Sequence, residues 1–502
     1  MKRALAAAFL AAALTAGCAA HPAPAVSPRP PRPPKPGVSA LRADLASCFR
    51  TPALRGAVSG VLVRSLKTGE TLAAINPGTF LMPASNMKVV TAAAAAERLG
   101  WDYTFTTKVV AAGPIEGGVL KGDLVIVGSG DPALGGRPTP EGFALVDRWA
   151  EAIRAAGVSA VEGRIVGDDN AFEDEGLGSG WAWDDLAYGY AAPVGGLNFN
   201  ENTARLTFAP GAARGDPVTV EVRPDGSGLQ VDSTVTTADP DGEVDLRIRR
   251  LPGSARLGVR GSVPAGKTDV TQAVSVDNPT EFLARALKLA LAGRGVTVSG
   301  EAIDGDALAA PVDIASASTL VTHVSPPLAD IVKVLLKASQ NLYADTLLKA
   351  LGRTASGGPA STAAGKLAVR DVLQAWGIGP DQYIQADGSG LSRYNYLSAD
   401  VLVAVLTRMY YDERHRDAFM AALPVAGVDG TLANRMKGTR AEGNARAKTG
   451  SIANTRSLSG FVASASGEPL VFSMIVNNFN AAPSDALDAI DRAVVRLAEF
   501  RR

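Results

Sequence analysis

The chain has 502 residues, of which 46% are hydrophobic and 20% charged, and its 50 basic side chains balance 50 acidic ones. This length exceeds one compact domain, and a net charge of zero without a long basic run excludes the electrostatic surface that nucleic acids require. Three histidines and two cysteines are too few for clustered metal sites or a disulfide scaffold. We therefore predict a multidomain protein that does not bind nucleic acid.

The N-terminus has the pattern of a targeting segment. Two basic residues followed by an apolar run to Thr15 predict a secretory signal peptide over 1–17. Prolines are concentrated in residues 18–37, which predicts a stiff polyproline II linker. We therefore expect an exported protein of the periplasm or cell envelope.

Cys18 ends a short stretch that resembles a bacterial lipobox, in which the cysteine becomes the lipidated first residue of the mature chain. The alternative is ordinary cleavage near residues 23–25. A lipid on Cys18 is the membrane attachment that the sequence suggests. Cys48 would then lack an intramolecular partner, and we expect it to be buried as a small apolar residue.

The folded body begins with a β-hairpin over 56–81, followed by an alanine-rich helix that opens near Pro83 and closes at Gly100. From 104 to 270 the pattern changes to short alternating strands separated by Gly, Asp and Pro turns. This stretch predicts a mostly β region.

Helical patterning returns at Asn278, which can cap a helix whose apolar face includes Phe282, Ala286 and Leu289. The later elements are predicted as helices at about 327–352, 364–376 and 398–411, a hairpin of 457–462 and 470–476, and a helix over 483–500. Strands at both ends of the chain predict an antiparallel sheet that pairs the first hairpin with the last, flanked by helices, in an α+β fold.

Ser85 and Lys88 stand in the first turns of the alanine-rich helix. The i, i+3 spacing places the hydroxyl and the amine on one helix face. A serine is a poor nucleophile until a base removes its proton, and a lysine can be that base when burial lowers its pKa. The pair is a candidate nucleophile and base, although an S-x-x-K match is expected about once by chance in a chain this long.

Two further motifs are weak in isolation. Ser339-Gln340-Asn341 interrupts a helical stretch, where such residues usually mark a cap or a break. Lys448-Thr449-Gly450 precedes the terminal hairpin, but K-T-G is also a common turn, and Lys67-Thr68-Gly69 reads as an ordinary hairpin turn.

Together, in this order and context, S-x-x-K, S-x-N and K-T-G resemble the three motifs that form one site in penicilloyl-serine transferases. Two longer stretches narrow the resemblance: Gly122–Leu134 is similar to G-D-L-x-x-x-G-x-G-D-P-x-L, and Asp387–Arg393 to D-G-S-G-L-S-R. Residues 448–461 follow K-T-G-S-L...L-S-G-Y with Ile452 and Phe461 as mild departures. The chain resembles the D-alanyl-D-alanine carboxypeptidases/endopeptidases of the penicillin-binding protein 4 type, low-molecular-mass class C penicillin-binding proteins.

The resemblance implies a β-lactamase/transpeptidase-like catalytic domain, an antiparallel sheet flanked by helices, that is split by a large mostly β insert. The expected bounds are 38–103 for the first catalytic part, 104–299 for the insert, with two subdomains, and 300–502 for the second catalytic part. About 250 residues separate Ser85 from Ser339, whereas a compact serine β-lactamase has its second motif a few tens of residues after the first.

The resemblance also implies the site. Ser85 would attack the penultimate D-Ala carbonyl of a peptidoglycan stem peptide, Lys88 would accept its proton, and Ser339 would relay a proton to the departing amine. Asn341, Lys448, Thr449 and Gly450 would bind substrate, and the backbone N–H groups of Ser85 and Ser451 would form the oxyanion hole. β-Lactams would acylate Ser85, and no metal or cofactor would be needed.

Two alternatives remain at this point: a serine β-lactamase, and a non-catalytic envelope lipoprotein that binds peptidoglycan. His323 and His415 are expected to be ordinary structural or surface residues and not members of a triad. The sequence does not decide between carboxypeptidase and endopeptidase preference, the diamino acid of the stem peptide or the oligomeric state.

Overall fold

A computed structural model describes residues 36–356 and 359–502. The predicted signal peptide, Cys18 and nearly all of the predicted linker lie outside these residues. Within the described part of the chain, no helix is both long enough and apolar enough to cross a membrane.

The α-helices are α1 (Pro36–Phe49), α2 (Met87–Leu99), α3 (Phe143–Ala155), α4 (Pro279–Gly293), α5 (Leu328–Lys337), α6 (Asn341–Ser356), α7 (Thr362–Ala375), α8 (Ala399–Tyr411), α9 (Arg416–Ala422) and α10 (Pro483–Glu499). The strands are β1 (Val58–Ser65), β2 (Thr71–Ile75), β3 (Thr106–Ala112), β4 (Ile115–Glu116), β5 (Val119–Leu120), β6 (Asp123–Val127), β7 (Ala160–Val161), β8 (Ile165–Asp168), β9 (Thr203–Ala209), β10 (Thr219–Arg223), β11 (Gln230–Ala238), β12 (Asp245–Arg249), β13 (Arg256–Pro264), β14 (Val270–Ser275), β15 (Thr297–Val298), β16 (Ala302–Asp304), β17 (Ser318–Val324), β18 (Arg446–Ile452), β19 (Thr455–Ala463) and β20 (Pro469–Asn477).

The first and last hairpins form one antiparallel sheet in the order β18-β19-β20-β1-β2. Side chains alternate across the sheet: Val61 and Val63 pack into the core with α1 and α10, whereas Leu62 packs into the core with α2 and α8. Each face is therefore covered by helices, and the predicted pairing of the two hairpins is confirmed.

Helix α2 lies at the centre of the larger helical layer. All residues from Met87 to Ala96 are buried, and α5, α6, α7 and α8 pack around it. Alanine side chains let neighbouring helices approach closely while they favour the helical conformation. The helix holds the residues at its N-terminus in a fixed position within this layer.

The intervening region has its own hydrophobic core, built on a sheet of order β16-β8-β6-β3-β17, a second of order β15-β7-β5-β4, and two three-stranded sheets, β10-β9-β14 and β11-β13-β12. The sequence pattern missed α3 within this region, although its buried residues Leu145, Val146 and Trp149 have helical spacing. The domain bounds remain a prediction, and the pairing of β17 with β3 favours a second junction after Val324.

Several local predictions can be compared with the structure. Asn278 caps α4 as expected, since its side chain accepts a hydrogen bond from the Glu281 N–H at 2.8 Å. Leu289 is 48% exposed, so its assignment to the apolar face of α4 is wrong. The predicted helix at 327–352 is two helices, α5 and α6. Cys48 is half-buried and not fully buried.

Helix α1 was not predicted. Its buried residues Val38, Leu41, Leu45 and Phe49 follow helical spacing, and α1 packs against α10 and β2. The neighbouring prolines obscure this pattern, because their density predicts an extended linker up to residue 37.

Candidate active site

Ser85 lies in a 3₁₀ turn, Ala84–Asn86, that leads directly into α2. The preceding residue, Ala84, has a φ of 48°, an uncommon value for a residue with a side chain. The turn is tied to β19, since Ser457 Oγ donates to the Pro83 carbonyl at 2.7 Å and accepts from Asn86 Nδ2 at 2.5 Å. These buried bonds hold Ser85 in a strained turn at the sheet edge.

Lys88 is fully buried and its Nζ lies 2.9 Å from Ser85 Oγ. Two further acceptors surround the amine: Asn341 Oδ1 at 2.5 Å and the Ser389 carbonyl at 2.7 Å. A neutral amine has two N–H bonds and one lone pair. If Asn341 and Ser389 take the two N–H bonds, the lone pair faces Ser85 and can accept its proton.

Burial lowers the pKa of Lys88 to about 8, and the nearby carboxylates of Asp345 and Asp387 oppose this shift. Burial also raises the pKa of Asp345 to about 7, with repulsion from Asp387 as the next cause. Asp345 Oδ1 accepts from the Gly388 N–H at 2.6 Å. The Lys88 amine can therefore lose its proton near physiological pH, as a general base must.

Ser339 lies in the break between α5 and α6, with a φ of 60°. Its Oγ accepts a hydrogen bond from Lys448 Nζ at 2.9 Å. Asn341 begins α6 and connects three parts of the chain, because its Oδ1 accepts from Lys88 and its Nδ2 donates to the Tyr190 carbonyl at 2.7 Å. The second motif thus contacts both the first and the third.

The third motif lies on β18, at the edge of the central sheet. Lys448 is buried, and burial lowers its pKa well below the usual value, with the Lys88 charge as a further cause. A Cβ on Gly450 would lie 2.1 Å from Ser457 Oγ and 2.6 Å from the Pro83 carbonyl. Only glycine therefore lets β18 approach the Ser85 turn this closely.

These residues open on one cleft of about 420 Å³. Its lining includes Ser85, Ser339, Asn341 and Ser451 from the predicted site, together with Asp184, Asp185 and Tyr190 from the intervening region and Leu391 and Arg393 from the loop after α7. Lys88, Lys448 and Gly450 lie behind the cleft surface, in contact with its walls. Thr449 Oγ1 donates to Thr431 Oγ1 at 2.7 Å. The structure thus brings every predicted site residue together, while their individual roles stay a prediction.

The Asp387–Arg393 loop contacts Lys88 through the Ser389 carbonyl. Asp387 is buried and accepts from the N–H groups of Gly390 and Ser392, each at 2.7 Å, and from Trp181 Nε1 at 3.0 Å. This network holds the Ser389 carbonyl against Lys88. A Cβ on Gly390 would lie 1.8 Å from the Ala84 carbonyl, so the loop also packs on the Ser85 turn.

Sequence reasoning missed three contributors to the site: Asp345, the Tyr190 carbonyl and the Ser389 carbonyl. Asp345 stands four residues after Asn341, a spacing that places both on one face of α6 and could have been recognised. Tyr190 and Ser389 act through their backbones, and residue type gives no signal for such a contact.

Two groups of side chains outside the cleft have the spacing of metal ligands: Glu97, Asp412 and His415, and Asp169, Asp304 and Asp306. In the first group, Arg414 Nη2 already pairs with Glu97 and Asp412, and His415 Nε2 lies 3.0 Å from Glu97. Neither group includes a residue that lines the cleft.

Comparison with known proteins assigns most of the chain to one family. Residues 41–499 match the D-Ala-D-Ala carboxypeptidase 3 (S13) family. The D-alanyl-D-alanine carboxypeptidase of Actinomadura sp. strain R39 is 37% identical over 472 residues, covering 92% of this chain and 85% of that protein. The D-alanyl-D-alanine carboxypeptidase DacB of Haemophilus influenzae is 29% identical over 433 residues, covering 85% and 86% respectively.

A crystal structure of penicillin binding protein 4 from Haemophilus influenzae superposes with a TM-score of 0.79 at 28% identity, covering 92% of this chain and 99% of that one. The same protein complexed with a β-lactam gives a TM-score of 0.72 at 27% identity, covering 91% and 98%. These similarities confirm the predicted family resemblance and the α+β multidomain fold class.

Proposed function

The chain belongs to the D-Ala-D-Ala carboxypeptidase 3 (S13) family and is a serine peptidase, and on this premise we propose that Ser85 cleaves peptidoglycan stem peptides beside D-Ala through an acyl-enzyme. The observation that carries the proposal is the 2.9 Å contact between Ser85 Oγ and the buried Lys88 Nζ. The family also favours this function over a β-lactamase or a non-catalytic binding protein.

In the first step Ser85 Oγ attacks the carbonyl carbon of the penultimate D-Ala, and its proton passes to the Lys88 lone pair. The negative charge that develops on the carbonyl oxygen is stabilised by the N–H groups of Ser85 and Ser451, each worth about 3 kcal/mol in comparable sites. The location of both residues in the cleft lining supports this assignment.

The C–N bond then breaks, and the departing amine takes up, through Ser339, the proton that Lys88 accepted from Ser85, which leaves Lys88 neutral again. Because Ser339 Oγ accepts from Lys448, its own O–H remains available to donate into the cleft. Lys448 and Thr449 bind the terminal carboxylate of the substrate, and Asn341 orients Lys88. In the second step water attacks the acyl ester and its proton passes to Lys88. The ester C–O bond then breaks, Ser85 Oγ takes the proton from Lys88, and the shortened peptide is released.

β-Lactams carry a strained amide in place of the D-Ala-D-Ala bond, so they would acylate Ser85 by the same step. Fluorescent penicillin should label the protein, and the label should be absent in Ser85→Ala. Persistent labelling of that variant would disprove the assignment of the nucleophile. Slow turnover of the penicilloyl-enzyme, as opposed to fast penicillin hydrolysis, separates the peptidase from a β-lactamase.

Carboxypeptidase and endopeptidase activities differ in what lies beyond the bond that is cut. Incubation with purified monomeric and cross-linked muropeptides, followed by mass analysis, tests both. Release of D-Ala from monomers supports the first activity, and conversion of cross-linked dimers to monomers supports the second. A protein that binds stem peptides but yields neither product would instead be the non-catalytic alternative.

The charged lining of the cleft supports a stem residue that carries both an amine and a carboxylate on its side chain. Asp184 and Asp185 contribute carboxylates and Arg393 a guanidinium, and Asp185 already accepts from Tyr190 Oη at 2.7 Å. Asp184→Asn should raise KM for a peptide with a free side-chain amine and leave KM unchanged for its N-acetylated form. An equal effect on both peptides would exclude this role.

We also propose that residues 1–17 direct export to the cell envelope, where the peptidoglycan substrate is found. The mass of the mature N-terminus distinguishes a lipidated Cys18 from cleavage near residues 23–25. Membrane association that is lost in Cys18→Ser would support the lipid anchor.

A further inference from the structure

We propose that Glu201, in the region between the first and second motifs, is a positioning residue for Ser339-Gln340-Asn341 and acts through Gln340. This inference rests on the proposed function, because it concerns the placement of Ser339 and Asn341 for the reaction at Ser85. The catalytic motifs alone do not explain how the break between α5 and α6 is held.

The contact with Gln340 is direct. Gln340 Nε2 donates to Glu201 Oε2 at 2.6 Å. Arg137 holds the same carboxylate in a fork, with Nε 2.6 Å from Oε1 and Nη2 2.5 Å from Oε2. The Glu201 side chain is only 15% exposed, whereas Arg137 is 42% exposed, and the three groups form a charge-assisted network around the Glu201 carboxylate.

A second contact holds the motif from its other side. Tyr343 is fully buried in α6, and its hydroxyl donates to the Arg137 carbonyl at 2.6 Å. Gln340 and Tyr343 stand one residue before and two residues after Asn341. The Arg137–Glu201 pair therefore binds the start of α6 on both sides of Asn341, the residue that contacts Lys88.

Glu201 is itself held in place by an unusual backbone. Asn200, Glu201 and Asn202 have φ values of 51°, 56° and 54°, the left-handed region, at three consecutive positions with side chains. Residues with side chains adopt this conformation infrequently, and a run of three persists only where the surroundings enforce it. Fully buried Asn202 supplies that enforcement, because its side chain accepts from the Phe199 N–H at 2.8 Å and donates to the Pro193 carbonyl at 2.8 Å.

The motif needs such support because its own backbone is strained. Ser339 has a φ of 60° without being glycine, and the Asn341 Oδ1 to Lys88 Nζ distance is 2.5 Å. A displacement of about 1 Å at a catalytic group can reduce a rate about 100-fold. The Glu201 contact fixes the position of the break between α5 and α6, so that the side chains of Ser339 and Asn341 reach the cleft.

A double-mutant cycle tests the proposal with Glu201→Ala, Gln340→Ala and the double variant in the full-length protein. We expect kcat for D-Ala release and the penicillin acylation rate to fall about ten-fold in each single variant, a loss smaller than that of a catalytic group. The double variant should be no more than about two-fold worse than the poorer single variant, because both changes break one contact. KM should stay within about two-fold, since the carboxylate-binding groups on β18 are untouched.

Asp123→Ala is the matched control. Asp123 is 13% exposed, accepts from the Arg164 backbone N–H at 2.7 Å and receives the same two-pronged Arg164 contact within the same region, but touches no catalytic motif. Its activity should stay within about two-fold of the unmodified protein, even if its melting temperature falls as far as that of Glu201→Ala.

Additive losses in the cycle, or unchanged kcat in Gln340→Ala, would overturn the proposal, and the second result applies even if Glu201→Ala does not fold. An equal fall in kcat for Asp123→Ala would also overturn it, by showing a general effect of destabilisation. The unmodified protein separates this inference from the proposed function. If it is neither acylated by penicillin nor releases D-Ala, the proposed function fails. If it is active and Gln340→Ala is equally active, only the positioning role is rejected.

Discussion

The charge on Lys88 is set by burial and by two nearby carboxylates, which act in opposite directions. Burial favours the neutral amine, whereas the carboxylates of Asp345 and Asp387 favour the ammonium, and the balance leaves the pKa at about 8. A base must be neutral to accept the Ser85 proton. The acylation rate should therefore rise with pH through about 8, because the neutral fraction grows, and level off above it.

Asp345→Asn should shift this rise to lower pH. The substitution removes a negative charge that raises the pKa of Lys88, so the neutral amine becomes available at lower pH. The asparagine Oδ1 can still accept from the Gly388 N–H, which preserves the local geometry. The measurement is the pH dependence of penicillin acylation, with Asp123→Asn as a control that leaves the profile in place. A rise that stays where it was, or moves to higher pH, would contradict the prediction.

Lys88→Ala tests the base itself. Removal of a general base typically costs 10²–10⁴-fold in rate, so we expect acylation to fall by at least about 10²-fold while circular dichroism shows an unchanged fold. Acylation at the original rate would exclude Lys88 as the essential base.

The residues of the site differed in how far sequence could predict them. Ser85 and Lys88 are related by local helix geometry, which spacing alone predicts. The contacts of Asn341 with Tyr190 and of Gln340 with Glu201 join positions 151 and 139 residues apart. The first of these uses a backbone carbonyl, which any residue provides, and the second depends on a left-handed backbone that no composition pattern reveals.

At the scale of single elements, β18 is notable for its close packing on the turn that carries Ser85. Gly450 lies where this strand crosses the turn. A Cβ at this position would meet the Pro83 carbonyl and Ser457 Oγ. The strand also carries Lys448 and Ser451. The distance of β18 from the turn therefore determines whether Lys448 and Ser451, the proposed carboxylate-binding and oxyanion residues, are within reach of Ser85.

Gly450→Ala should move Lys448 and Ser451 on β18 away from Ser85. The added Cβ would meet the Pro83 backbone at 2.6 Å, which forces β18 away from the turn, and we expect acylation to fall by at least about 10²-fold. Gly258 on β13 is a matched control, because a Cβ there would lie 4.0 Å from its nearest neighbour, the Arg249 carbonyl. Equal penicillin acylation in Gly450→Ala and Gly258→Ala would contradict this account.

Elements were predictable where one pattern dominated. The terminal hairpins and the cap of α4 followed from alternation and from Asn278. Helix α3 was missed because its surroundings are strand-rich, and Leu289 was assigned to the core although the groove beside α4 leaves it exposed. At Leu289 the tertiary context overrode the local pattern, whereas the local pattern of α3 is helical and the surrounding strand signals obscure it.

In the whole molecule, the two ends of the described chain pack together. Helix α1 covers α10 and β2 through Val38, Leu41 and Leu45, and Arg496 Nε donates to Asp44 Oδ2 at 2.6 Å across the same contact. The segment directly after the predicted linker is thus part of the catalytic domain core.

Leu45→Ala should lower the free energy of unfolding by about 2–5 kcal/mol, the usual cost of truncating a fully buried leucine. Leu367→Ala on α7 is the control, since Leu367 is 49% exposed and its loss should cost no more than about 0.5 kcal/mol. Urea unfolding followed by tryptophan fluorescence compares the two. Equal midpoints would show that α1 contributes nothing to the core.

The pairing of β1 with β20 also means that the site needs both ends of the folded body. β1 stands near the start of that body, whereas its partner residues Leu470–Asn477 lie near the far end of the sequence. Without β18–β20, the Ser85 turn has neither the Ser457 bonds that hold it nor the Lys448 and Ser451 groups. A chain that lacks β18–β20 therefore carries Ser85 without the contacts that hold its turn or the groups that face it across the cleft.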